Sequence, residues 1–182
     1  SRYLTAIVSF LALRQRDSVS VHAISDGIQL LCRNAHTRKE LMPMCKHFET
    51  AKDTGKMNLF KMHNHLTAIK DSIVFYISDI WYDEQELFRC LHDVRINNND
   101  IKLLHVLAPE EYDLGSTGII RFVDSEQGHF YTCKTEEIRN DYRKELQNRI
   151  RLLNELSINH GIRYENISTD EYLPVVISRI IR

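Results

Sequence analysis

The sequence predicts an α/β protein with a mainly parallel sheet covered by helices on both faces. Strand-like runs alternate along the chain with stretches of helical length, as the crossover connections of parallel strands require. The middle runs, SIVFYIS and IKLLHVL, are apolar on both faces, which fits strands held between two helical layers. At 182 residues and 43% hydrophobic content, the chain can fill one core and is too short for two comfortable domains. Residues 1–182 therefore read as a single domain.

The elements follow in order. SRYLTAIVSFLALRQRD is apolar on nearly every face from Tyr3 to Leu13 and reads as a helix buried against a sheet. SVSVHAIS alternates Val19, Val21 and Ala23 with polar residues; Asp26-Gly27 and GIQLLC then complete a hairpin. Thr37-Arg38-Lys39-Glu40 fits a capping box, opening a helix toward Ala51 that Pro43 enters early or bends. Asp53 to Asn58 is a polar loop, and a shorter helix runs from about Leu59 to Ile69.

SIVFYIS is the next strand, stopping at Ser78-Asp79. Asp83-x-x-Glu86 is a second capping box, and Leu87, Phe88, Leu91 and Val94 form the buried stripe of the helix it opens. IKLLHVL is stopped by Pro109, and residues 110–135 read as a β-hairpin excursion. Ile138, Tyr142, Leu146, Ile150 and Leu153 keep helical spacing from Glu136 to His160, with Gly161 as the residue after the cap. IRYENIS and DEYLPVVISRIIR supply a last strand and helix.

Composition narrows the function. With 24 basic against 25 acidic side chains, no global field steers the molecule to nucleic acid or anionic lipid. Cys32, Cys45, Cys90 and Cys133 are widely spaced with no C-x-x-C, so reduced thiols are expected. There is no membrane span and no secretory signal within the sequence, which points to a cytoplasmic domain. No nucleophile elbow, phosphate loop or dinucleotide fingerprint occurs. His63 and His65 point about 200° apart on a helix and cannot close on one ion. Cys45 and His47 share that defect, while His22 and His105 read as satisfied core or rim histidines. The Arg and Lys residues from Arg139 to Arg151 alternate with acids and read as a solvated face.

Asp79 is the exception. In open α/β sheets ligands sit beyond the carboxyl ends of the strands, and Asp79 lies at such an end. A carboxylate there can bind Mg²⁺ together with Ser78, cap the following helix, or act as a general base.

Several segments together resemble one family. SFLALRQRDSVSVHAISDGI, SIVFYISDIWYDEQELFRCL and the run from HVLAPEEYDLG to IRYENISTDEYL are similar, in order and spacing, to the domain-of-unknown-function 58 proteins. These are bacterial von Willebrand factor A relatives associated with MoxR-type AAA+ ATPases. The resemblance implies a von Willebrand factor A-like, Rossmann-like fold with a metal-ion-dependent adhesion site at the sheet rim. There, a bound metal would complete its shell with a partner's carboxylate. Of that site only Asp79, with Ser78 beside it, carries over. Met57 stands where the threonine ligand is expected, Thr54 is out of register, and the D-x-S-x-S strand preceding the first helix is absent.

The resemblance thus implies a non-enzymatic protein-interaction module with a degenerate Mg²⁺ site. Its partner would be a MoxR-type ATPase or a client of it, docking on loops around Asp26, Gly55, Asp79 and Pro109-Glu110-Glu111. The chain would lack its first strand, which a second copy or another segment would supply, and it would be cytoplasmic or the soluble part of a membrane-anchored protein. The alternative is a metal-dependent hydrolase or phosphoryl-transfer enzyme using Asp79 and Asp83.

Overall fold

The computed structural model describes residues 1–25, 27–50, 58–113, 119–123 and 130–181, with side-chain surroundings omitted for 119–123 and 130–137. The order is α1 (Arg2–Arg14), β1 (Val19–Ile24), β2 (Ile28–Ala35), α2 (Arg38–Thr50), α3 (Leu59–Leu66), β3 (Ile73–Ser78) and α4 (Glu84–Arg95). It continues with β4 (Asp100–Leu107), α5 (Pro109–Tyr112), β5 (Ile119–Val123), β6 (Phe130–Lys134), α6 (Thr135–His160), β7 (Arg163–Ser168) and α7 (Leu173–Ile180).

Strands β3, β4 and β7 form a parallel sheet in that order, with β4 in the middle. Ile101, Leu103, Leu104 and Leu107 of β4 are fully buried, as a doubly covered central strand requires. Side chains alternate across the pleat. Tyr76, Ile101 and Leu103 pack with Met62 of α3, Leu87 and Leu91 of α4 and Leu153 of α6. Leu104 and Ile167 pack on the opposite side with Leu4 of α1 and Val176 and Ile180 of α7. The predicted parallel sheet with two helical layers is present.

Two antiparallel hairpins accompany it. β5 and β6 form the expected excursion. β1 and β2 pair with each other and pack on α2 through Val19, Val21, Leu31, Leu41 and Met44. Among the described residues no ladder joins this hairpin to β3. Asp26, the expected turn residue, lies outside the described residues, as do Thr54, Gly55 and Met57.

Three expectations need correction. The first helix is half-buried: only Leu4 and Ser9 are sequestered, and Tyr3 is 87% exposed. It reaches the hairpin core through Ala6, Ala12 and Leu13 and the parallel sheet through Leu4 and Val8, so its apolar faces serve two separate cores. The helix beginning at Leu59 stops at Leu66 rather than Ile69, and Asn97 Nδ2 captures the carbonyl of the capping Thr67 at 3.0 Å. Pro109 does stop β4, but it also opens the short helix α5, where the Glu111 carboxylate accepts the Ala108 N–H at 2.6 Å.

One bond of each expected capping box is present. Glu40 accepts from the backbone N–H groups of His36 and Thr37, and Asp83 accepts from Glu86 N at 2.8 Å. Lys102 is buried and donates to the Ile180 carbonyl at 2.6 Å, placing a cation at the negative end of α7.

Candidate functional site

The carboxyl end of the sheet carries a polar row. Ser78, His105 and Asn166 stand in register on β3, β4 and β7, one step beyond Tyr76, Leu103 and Tyr164 on the same face. Parallel strands ending in polar residues leave donors and acceptors that must be satisfied at the edge of an apolar core. His105 is 1% exposed, and its Nδ1 accepts from the Tyr164 hydroxyl at 2.8 Å. The ring is also hydrogen-bonded to the Asp79 backbone. Burial holds the imidazole pKa down to about 4, against the opposing pull of that backbone bond. Asn166 Nδ2 reaches the His105 carbonyl at 3.3 Å and its Oδ1 accepts from Tyr112 OH at 2.7 Å, extending the chain to α5.

A second chain runs to β3. Tyr82 OH donates to Ser78 Oγ at 3.2 Å, which leaves Tyr76 OH as the donor to Tyr82 at 2.6 Å. Burial raises the pKa values of Tyr76, Tyr82 and Tyr164, so all three phenols remain neutral donors.

Between these chains the backbone makes an unusual turn. Ile80 is fully buried yet has φ of +54°, in the left-handed region that costs a β-branched residue most. Three contacts impose it. The side chain fills the core beside Leu87, Ile80 N–H donates to Ser78 Oγ at 3.2 Å, and Arg149 Nη2 of α6 donates to the Ile80 carbonyl at 2.6 Å. Arg149 also donates to the Tyr82 carbonyl at 3.0 Å, pairs with Glu84 at 3.0 Å and lies 5.2 Å from the Trp81 ring centre. Plugging Ile80 inward leaves its neighbours, Asp79 and Trp81, exposed.

Asp79 thus stands at the strand end where it was expected, accepting from Ser78 Oγ at 3.2 Å. The arrangement fits Mg²⁺ poorly. The Ser78 hydroxyl already accepts from Ile80 and Tyr82 and donates to Asp79, so it has no lone pair left for a cation. Among the described residues no group of three or more His, Cys, Asp or Glu could hold a metal ion. Asp83, the other acid of the hydrolase alternative, caps α4 by accepting from Glu86 N–H at 2.8 Å. His63 and His65 diverge as their spacing requires: His63 meets Asp93 at 2.8 Å and His65 meets His22 at 2.9 Å.

Arg149 was misread. The alternating charges of its helix suggested a solvated face, whereas it is the clamp on the 80–82 turn. The polar residues near the carboxyl ends of SIVFYIS, IKLLHVL and RYENIS (Ser78, His105 and Asn166) are the sequence signal for the row they form.

The fold is similar to that of two solved structures. BatB, a conserved hypothetical protein from Bacteroides thetaiotaomicron, matches 97% of this chain and 85% of its own at 13% identity, with a TM-score of 0.57. An aerotolerance-related membrane protein from Bacteroides fragilis matches 90% of this chain and 78% of its own at 11% identity, with a TM-score of 0.50. At such identities the likeness concerns fold alone. No curated protein matches. The family model described as Protein of unknown function DUF58 matches residues 2–151.

Two predictions follow from the rim. Ile80→Ala should cost about 2–5 kcal/mol through the cavity it leaves. Glycine normally trails alanine by about 0.5–1 kcal/mol, but a left-handed φ penalises alanine by about 1–2 kcal/mol. In urea denaturation Ile80→Gly should therefore be at least as stable as Ile80→Ala; a clearly weaker glycine variant would contradict the strained turn.

His105 contributes to the acid limb. Its folded pKa of about 4 lies below the unfolded value of 6.5, so below pH 6.5 the unfolded chain binds a proton that the folded one refuses. Stability should fall as pH drops from 6.5 toward 4, and His105→Gln should flatten that slope. An unchanged slope would mean that His105 is not held neutral.

Proposed function

The chain belongs to the Protein of unknown function DUF58 family, and from that premise we propose that it is a non-enzymatic protein-interaction module. Its docking surface is the carboxyl rim of the parallel sheet around Asp79 and Trp81. Its partner is a MoxR-type AAA+ ATPase or a client of that ATPase. The observation that carries this reading is the 79–81 turn, where a buried Ile80 and the Arg149 clamp hold a carboxylate and an indole outward. A surface fixed before binding loses little entropy on docking. Asp79 is the remnant of a metal-ion-dependent adhesion site whose hydroxyl is now spent within the protein.

The rival reading, a hydrolase using Asp79 and Asp83, is disfavoured by the cap that occupies Asp83. We take residues 1–182 as one von Willebrand factor A-like domain. β1 pairs only with β2 among the described residues, and β3 only with β4, so each has an edge that one more extended strand could use. That strand would come from another segment of the protein or from a second copy. No described helix is long and apolar enough to cross a membrane. The domain would work in the cytoplasm or as the soluble part of a membrane-anchored protein, as the description of one structural neighbour suggests.

Isothermal titration with a purified MoxR-type ATPase from the same organism tests the proposal. Saturable binding is expected, unchanged when EDTA replaces Mg²⁺ in the absence of nucleotide. Asp79→Ala and Trp81→Ala should each weaken it by about tenfold, roughly 1.4 kcal/mol, with circular dichroism unchanged. Absence of binding, or phosphoester hydrolysis that Asp79→Ala abolishes, would overturn the assignment.

A further inference from the structure

Between the 81–84 turn and α6 lies a cavity of about 340 Å³ lined mainly by Trp81, Glu84, Tyr142, Leu146, Arg149 and Leu152. Its volume is at the lower end for ligand pockets, enough for an apolar side chain and the backbone around it. Trp81 is 49% and Leu152 42% exposed, so an occupant would bury two large apolar side chains. Half-exposed aromatics in preformed pockets are what anchor protein contacts.

The charge of the lining and of the segment next to it decides the occupant. Asp79, Asp83, Glu84 and Glu86 lie within eight residues that contain no lysine or arginine. Glu145 adds a carboxylate on the α6 side. Arg149 and Glu84 pair with each other and offset each other's charge, which leaves Glu145 as the unbalanced charge of the lining, with Asp79, Asp83 and Glu86 of the adjacent segment adding to its sign. Ser78 has no lone pair for a cation that would bridge Asp79 to a partner's carboxylate. An acidic partner would meet like charge here, and a basic one its complement.

We infer that the cavity takes a segment of the partner protein in which one apolar side chain is flanked by lysines or arginines. This rests on the interaction-module reading and adds the chemistry of the partner. The apolar side chain enters between Trp81 and Leu152. The flanking cations meet Glu145 of α6 and the acidic 79–86 segment beside the cavity.

Trp81 is the only tryptophan in the chain, so its emission reports on this cavity alone. The probes are three capped peptides, Gly-Lys-Leu-Lys-Gly, Gly-Glu-Leu-Glu-Gly and Gly-Lys-Gly-Lys-Gly. Only the first should shift Trp81 emission saturably at low salt. Raising the salt from about 10 mM to about 1 M shortens the screening length from about 30 to about 3 Å and should weaken the response by about tenfold. Glu145→Lys and Leu152→Asp should each abolish it, with the far-ultraviolet circular dichroism of both variants matching the parent. A flat signal with all three peptides, an equal response to the acidic one, or an acidic response that appears only with Mg²⁺ would overturn the inference. None of these outcomes bears on Asp79-dependent capture of the ATPase, so the broader proposal stands or falls separately.

Discussion

His105 lies out of water at the carboxyl end of the central strand, and the rim depends on its remaining neutral. Its Nδ1 can accept from Tyr164 only without a proton, and the same ring is tied to the Asp79 backbone. One side chain on β4 therefore links the end of β3 to the face of β7. A second proton would replace that hydrogen bond with a buried charge, and a buried unpaired charge is costly. The strand register sets His105 between Ser78 and Asn166, and Asn166 carries the chain on to Tyr112 of α5.

The 79–82 turn is built on top of that row by opposing terms of similar size. A left-handed isoleucine costs about 1–2 kcal/mol, while burying its side chain returns about 1.5–3 kcal/mol, so the turn needs only modest help from Ser78 and Arg149. The outcome is local rigidity with Asp79 and Trp81 displayed. Arg149 contributes less as a surface charge than as a rigid fork bonded to two carbonyls and a carboxylate. The rim thereby becomes a fixed acidic surface with an apolar recess beside it.

Much of the fold was legible because it rests on local periodicity. SIVFYIS and IKLLHVL are apolar on both faces, so their place in a covered parallel sheet follows. The Asp83 cap and the stripe Leu87, Phe88, Leu91 and Val94 were equally plain. The position of Asp79 was legible too, since a strand end is a local property. What surrounds it was not. Arg149 reaches the turn across 69 positions in sequence, and nothing in the alternating charges of its helix separates a clamp from a solvated face. Nothing in the sequence around Ile80 marks its left-handed φ, which depends on the Arg149 contact from α6 as well as on the local bond to Ser78. α1 reads as buried against one sheet because it is apolar on nearly every face, whereas in the fold it divides itself between two cores.

The central claim is that the carboxyl rim is where a protein partner docks. The most direct measurement is an amide NMR spectrum of the chain titrated with the MoxR-type ATPase. The account predicts perturbations concentrated in 78–86, 108–112 and 142–152, the segments that form the turn, α5 and the cavity. Perturbations centred instead on the opposite end of the sheet, around Arg95 to Asp100 and Gly161, or none at saturating ATPase, would contradict it.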